Sequence, residues 1–463
     1  MHHKIDGSNN LVKATDLESS AGFGDHMDVK LLLTAVWSAA GAVLYLLKPT
    51  VAPFFLPLAL IAPLLWSQRD ASLRARILQL SALSGILALA CAYLMISATW
   101  SLDPVRALIA VIIFLVLSLA LHILPRTLPE LPPKALRAMA LGFYVGYVTG
   151  ALLLAVEIVF DHPLHLRLFR AVPTLTPQMR DLVIQDNAVR QLPSFFLNLH
   201  IAALAFLIWP ALLVAWHLSP SRRTRAILLA CLLPAVPAVY LSDHETSKLA
   251  LAGGAGAFLI ARLVPRATSA IMITAWLIAC MAAVPLASLA YDLELHRAEW
   301  LQRTARHRIV IWGVTSEQTA RAVLFGHGIV SARQIGKQQE EHPIYAPGTN
   351  FPLSVGPYAH NAYLEAWFDT GACGALLLLV IGLLVLRAIS SLSANVRPAL
   401  YAMYATVALL AAASFSLWSR PFLASFGIGG MFAVLAWSFA MTAQGCQSRD
   451  EQVRLGIANA AER

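Results

Sequence analysis

The chain has 463 residues, of which 58% are hydrophobic and 13% charged, with a formal net charge of +9. A soluble domain carries about 25% charged residues, so this composition excludes an ordinary soluble fold and points to a polytopic membrane protein. The positive charge does not indicate nucleic acid. Lys and Arg fall in short clusters between apolar runs, with no basic stripe interleaved with aromatics, as expected of loops facing one side of a membrane.

Residues 1–26, "MHHKIDGSNNLVKATDLESSAGFGDH", are polar and unpatterned and read as an expression tag, with Met27 as the native start. The remaining sequence predicts an all-α polytopic membrane protein with about twelve transmembrane helices, each needing about 20 apolar residues. The candidate spans lie near 29–47, 50–66, 77–98, 104–124, 139–160, 197–217, 226–242, 248–264, 269–291, 371–388, 399–416 and 423–443. The second, seventh and eighth are short, which fits tilted, broken or re-entrant segments. The expected division is therefore residues 27–291 for spans one to nine, with a polar loop at 161–196. A large loop with short helices at 292–370 separates spans nine and ten. Residues 371–443 hold spans ten to twelve, and 444–463 form a tail.

The basic loops set the orientation. "SQRDASLRAR" holds Arg69, Arg74 and Arg76; "PRTLPELPPKALR" holds Arg126, Lys134 and Arg137; "SPSRRTR" holds Arg222, Arg223 and Arg225. Asp70 and Glu130 are the acids among them. With Arg262, Arg266, Arg387 and Arg397 on the same side, both termini are expected in the cytoplasm. The loops at 161–196 and 292–370 and the short "DHETSK" (243–248) then face the periplasm.

The long loop is not a basic tail. Between Asp292 and Ala359, seven Lys/Arg stand against six Asp/Glu, so its cations must act through position. "TSEQTARAVLF" predicts a short amphipathic helix, "FGHGI" a turn, and "HPIYAPGTNFPLSVGPY" is too rich in Pro and Gly for a helix. The five cysteines form no CxxC pair, and neither a disulfide nor a thiolate metal site is expected. His162 and His165 have an i, i+3 spacing, but Pro163 lies between them and no third ligand is near in sequence. No metal centre is expected there. "GGAG" (253–256) reads as helix packing within a span, and no nucleotide-binding motif is present.

Several residues are candidates for chemistry. His360 and Asn361 directly precede an apolar run. Asn361 can cap the helix, with His360 a surface neighbour, or His360 can accept a proton near neutral pH at the membrane boundary. Arg308 precedes Trp312 by four residues, so on a helix the two share a face. That pair is either an interfacial anchor or an anion ligand whose guanidinium forks onto phosphate. Lys248 opens an apolar helix on the outer side. It either snorkels, with Asp243 or Glu245 as partner, or binds an anion. Arg190, before the sixth span, and Arg420, in an outer turn, belong to the same group of outer-face cations.

At these residues the chain resembles the O-antigen ligase family, part of a superfamily shared with O-antigen polymerases. "AHNAYLEAWFDTG" (359–371) is similar to the family's His-Asn, then Leu, then Gly pattern. The Arg308–Trp312 pair about fifty residues upstream, followed by "FGHG", is similar to its Gly-x-Gly. The helix start at Lys248 resembles a Ser-Arg-Gly position where relatives often carry arginine, so lysine is a departure. The late outer loop completes the likeness. The resemblance implies a glycosyltransferase of the Gram-negative inner membrane that uses no cofactor and no metal. It would move glycan from undecaprenyl pyrophosphate to a lipid A-core sugar hydroxyl at the periplasmic face, completing lipopolysaccharide. His360 would act as base or orient the acceptor, and Asn361 would set its ring. Arg308, Arg190 and Lys248 would stabilise the pyrophosphate, with Trp312 and Arg420 also on the substrate side. Its partners would be the two lipid-linked glycans and membrane lipids. An O-antigen polymerase is the alternative within the class; a lipid-linked oligosaccharide flippase is the alternative outside it.

Overall fold

The structure, a computed structural model, describes residues 29–54, 77–176, 182–185 and 188–461. The expected tag, most of the second expected span and the cluster Arg69, Asp70, Arg74 and Arg76 lie outside the described residues.

The architecture is helical. Among the described residues, eight helices are long and apolar enough to cross a membrane: Val29–Leu47, Ala82–Trp100, Pro104–Glu130, Pro133–Val159, Phe195–Leu218, Arg222–Leu241, Ala362–Ser390 and Arg420–Gly445. A ninth is added if Pro265–Met281 and Ala283–Asp292, bent by 63°, form one span. The shortfall from the twelve expected has three sources. The second expected span is mostly outside the described residues. The eighth is a helix, Glu245–Leu263, that also carries Glu245, Lys248 and Arg262. The eleventh, Arg397–Ala413, is apolar but only 17 residues long.

Local sequence explains where many helices begin. Ser81 Oγ accepts from the Ser84 N–H at 3.2 Å, and Asp103 Oδ1 from the Arg106 N–H at 3.2 Å with Pro104 following. Ser221 does the same for Thr224. Each side-chain oxygen meets an N–H that the first turn leaves without a helical partner.

The Phe195–Leu218 span sits at the centre and is mostly buried, while Ala82–Trp100 and the section of Ala362–Ser390 beyond Gly371 turn much of their surface outward. Their outward Leu89, Ile96 and Leu376 bear no penalty where the solvent is lipid, which is as apolar as the side chains themselves. The "GGAG" stretch behaves as helix packing: a Cβ on Gly254 would collide with Thr406 Oγ1, and that hydroxyl accepts from Trp209 Nε1 at 2.8 Å.

The polar segments fold onto this bundle. Within 161–196, a helix Pro163–Ala171 precedes an antiparallel hairpin, Val183–Gln185 with Ala188–Gln191. His165 Nδ1 meets Glu157, and its Nε2 lies 3.2 Å from Leu47 O. No group among the described residues has the arrangement to hold a metal. The long segment carries helices Arg303–Thr319 and Ala332–Glu341. The helix expected over 315–325 is displaced: it begins at Arg303, takes in Arg308 and Trp312, and ends at Thr319. The backbone after it bonds to another helix instead. Residues 342–358 are irregular, as their Pro and Gly content predicts, with one bridge between Tyr345 and Pro352. The last helix runs from Arg420 to Ala461, so the expected tail continues it.

Candidate active site

The helix Ala362–Ser390 is broken at Gly371, whose φ of 61° and ψ of −164° are not helical. The break frees backbone groups that need partners, and the turn at 323–328 supplies them. The N–H groups of His327 and Gly328 donate to the carbonyls of Phe368 and Asp369, both at 2.9 Å. Beyond the break, the N–H groups of Ala372 and Cys373 donate to Val323 O at 2.8 Å and Leu324 O at 3.3 Å. Tyr93 Oη donates to Thr370 O at 2.6 Å. Gly326 and Gly371 both have positive φ, and a Cβ on either would strike the other's stretch of backbone. "FGHG" and the glycine of "AHNAYLEAWFDTG" are thus two sides of one contact.

That contact seats the first section of the broken helix, whose N-terminus carries the histidine. Asn361 is the N-cap: its Oδ1 accepts from the Tyr363 and Leu364 N–H groups, each at 3.1 Å. His360, just before, has φ 54°, a strained value for a residue with a Cβ. Its Nδ1 lies 3.1 Å from Ser414 O. A carbonyl oxygen can only accept, so Nδ1 carries the proton and Nε2 keeps the lone pair. The Tyr358 ring lies 4.2 Å from the imidazole, centroid to centroid. Burial first, then the charge of Arg308, pulls the His360 pKa down to about 4. The ring is therefore neutral at neutral pH. Burial raises the Tyr358 phenol.

Arg308 reaches the same place from another direction. From the Arg303–Thr319 helix, its Nη1 donates to Ala413 O at 2.7 Å. Ala413 is the last residue of the Arg397–Ala413 helix, whose end carries unpaired carbonyls and partial negative charge. Among the described residues, Arg308 has no carboxylate partner and no second hydrogen-bond acceptor. It is half-buried, and burial lowers its pKa, but a guanidinium remains charged. One turn further along the helix, Trp312 Nε1 donates to Ala359 O at 2.8 Å. The pair fastens this helix to the turn at Ala413 on one side and to the residue before His360 on the other.

The short connection after Ala413 gathers further residues that sequence reasoning did not single out. His244 Nε2 lies 2.9 Å from Ser414 Oγ, and its Nδ1 lies 2.6 Å from Ser247 Oγ. Burial, followed by the Arg308 charge, brings the His244 pKa to about 3. Glu365, 2% exposed, accepts from Ser416 Oγ and from the Leu417 N–H, both at 2.6 Å. Asp369, fully buried, accepts from Trp418 Nε1 at 2.7 Å. Glu365 and Asp369 stand one helical turn apart inside the 359–371 motif, and that i, i+4 spacing of acids in an apolar run was the available signal. Ser414 and Ser416 had none.

The other sequence-predicted residues are placed differently. Lys248 Nζ bonds Glu245 at 2.7 Å, the partner that the snorkelling reading named. No hydrogen bond or ion pair among the described residues joins it to Arg308 or His360; the residue of that helix start that does reach the site is His244. Arg190 lies on the second strand of the hairpin and is exposed. Arg420 is exposed and opens the last helix, six residues beyond Ser414.

Comparison with known proteins bears on this arrangement. Residues 229–379 match the family model described as O-antigen ligase. A curated protein of Rickettsia felis described as "Putative polysaccharide ligase" is 25% identical over 228 residues. The match covers 48% of this chain and 54% of the relative, so the chain spans about half of that relative's length. The matched family region contains His244, Arg308, Trp312, His360 and Glu365, whereas the Ala413–Trp418 connection that joins them lies outside it.

Proposed function

We propose, from the match of residues 229–379 to the O-antigen ligase family model, that the protein transfers a glycan from undecaprenyl pyrophosphate to a sugar hydroxyl of lipid A-core. The observation that carries this reading is the meeting of Arg308 and His360 at adjacent carbonyls, Ala413 O and Ser414 O. A cation with no carboxylate partner among the described residues stands there beside a neutral imidazole with a free lone pair.

The pyrophosphate oxygens take the remaining guanidinium donors of Arg308, whose planar fork suits phosphate. The acceptor hydroxyl donates to His360 Nε2. The bond between the anomeric carbon and the pyrophosphate oxygen breaks, and the acceptor oxygen bonds to that carbon. The hydroxyl proton passes to His360 Nε2, and undecaprenyl pyrophosphate leaves with its developing charge held by Arg308. In the free protein His360 is a weak base, because burial disfavours its charged form and protonation would add a second cation beside Arg308. A bound pyrophosphate reverses that field and strengthens the base when it is needed.

The remaining cations have smaller parts. Arg190, Lys248 and Arg420 steer the anionic donor from the outer face, and Trp312 and Asn361 keep the His360 segment in position. The Arg and Lys clusters of the sequence support a site on the periplasmic side of the inner membrane, with both termini in the cytoplasm. The test is to incubate the purified protein with lipid-linked glycan and lipid A-core, without nucleotide. Glycan appearing on the core lipid is the expected result. Glycan lengthening on the polyprenyl carrier instead would assign a polymerase.

A further inference from the structure

Arg306 stands two positions before Arg308, about 200° away round the same helix, and lines a different space. That space is a cleft open to solvent, of about 630 Å³. Three guanidinium groups, Arg297, Arg303 and Arg306, face it with one carboxylate, Glu299; Thr349 and Phe351 close it from the irregular 342–358 segment.

The three arginines are not equally engaged. Arg297 is committed: its Nε donates to Pro347 O at 3.0 Å and its Nη1 to Glu294 at 2.8 Å. Arg303 and Arg306 have no ion pair or side-chain hydrogen bond among the described residues, and Arg306 Nε is buried without an acceptor. A buried N–H in that state is costly unless a ligand supplies an oxygen. The Phe351 ring is buried 5.2 Å from that of His307, and Thr349 Oγ1 is taken up by Ala346 O and the Phe351 N–H, so the guanidiniums supply the free donors. Guanidiniums with donors to spare match an oxyanion such as a phosphate- or carboxylate-bearing sugar presents.

We propose that this cleft binds a phosphate- or carboxylate-bearing sugar of the carbohydrate substrate, at a site separate from the pyrophosphate held by Arg308. Which substrate brings that sugar rests on the ligase reading; the binding itself does not. His307, between Arg306 and Arg308 in sequence, packs its ring toward the cleft wall, so one helix serves both sites.

The test uses the full chain in detergent. Glucose 6-phosphate, glucuronate and glucose are titrated calorimetrically against the wild type and the Arg303→Ala, Arg306→Ala, Arg306→Lys and Arg308→Ala variants. Both charged sugars, or one of them, should bind at least about tenfold more tightly than glucose, the scale of one charge-assisted hydrogen bond. The stronger of the two identifies the oxyanion. That preference should vanish in Arg306→Ala, weaken in Arg303→Ala, return in part with Arg306→Lys and persist in Arg308→Ala. Arg303 is exposed, so its variant guards against a folding defect. Equal binding of charged and neutral sugars overturns the proposal, as does a preference that survives both alanine variants or is lost in Arg308→Ala. A wild type that binds charged sugars but transfers no glycan would remove the ligase reading and leave this site standing.

Discussion

His360 donates from Nδ1 to Ser414 O at 3.1 Å, one residue beyond the carbonyl that Arg308 holds. Two residues 52 positions apart in sequence are thereby fixed by consecutive carbonyls of a third segment. The bond dictates the tautomer of His360, and the tautomer dictates that only Nε2 can receive a proton.

Substitution separates the roles of His360. Loss of a general base costs about 10²–10⁴-fold in turnover, so His360→Ala, His360→Gln and His360→Asn should all be nearly inactive per folded molecule. Asn tolerates positive φ better than most residues, so His360→Asn should be the best folded of the three. Activity per folded protein, measured beside membrane-inserted protein level, checks this. An active His360→Gln would reduce the residue to an orienting hydrogen bond.

The pH dependence has a definite sign. A base works deprotonated, so activity is lost as pH falls through its pKa. In the free protein that pKa is about 4, and kcat/KM for the donor should show no acid limb from this group above about pH 5. Burial continues to lower His360 in the complex, but pyrophosphate offsets the charge of Arg308, so the limb in kcat should lie at higher pH than that in kcat/KM. Coincident acid limbs in the two profiles would contradict the electrostatic link.

Arg308→Ala should lower transfer by about 10²-fold or more, the scale of one preorganised charge-stabilising group. Arg308→Lys should remain impaired, because an ammonium lacks the fork that can hold Ala413 O and a phosphate together. Lys248→Arg should be tolerated. Rates in reconstituted vesicles, normalised to inserted protein, are the measurement. Full rate in Arg308→Ala would leave this residue as a cap on the Arg397–Ala413 helix.

Glu365→Ala should lower both stability and turnover. It strands the Ser416 hydroxyl and the Leu417 N–H, and a buried group left unpaired costs about 1–3 kcal/mol. The turn that carries Ser414 O then loosens. Thermal unfolding in detergent together with the rate per folded molecule should show both losses, and Glu365→Gln, which keeps one acceptor oxygen, should show smaller ones.

Orientation is open to direct labelling. Cysteines replacing Arg223 and Lys337, both exposed, should react with an impermeant maleimide from opposite sides of the membrane, Lys337→Cys from the periplasm. Labelling from one side alone would displace the site from the face where lipid-linked glycans are joined.

Composition and hydropathy determined that the chain is helical and membrane-spanning, since a backbone in lipid must satisfy its hydrogen bonds within a helix or a closed barrel. The spacing of Arg308 and Trp312, the cap at Asn361 and the irregularity of 342–358 were also legible, because each depends on neighbours a few residues away. The tertiary structure alone decided the rest. Gly326 pairs with Gly371, His244 rather than Lys248 reaches the site, and Glu365 and Asp369 anchor the connection after Ala413. These relationships rest on single hydrogen bonds and close backbone approaches between segments tens to hundreds of residues apart. Local periodicity carries no trace of them, because a serine carbonyl becomes a partner only when another helix is brought against it.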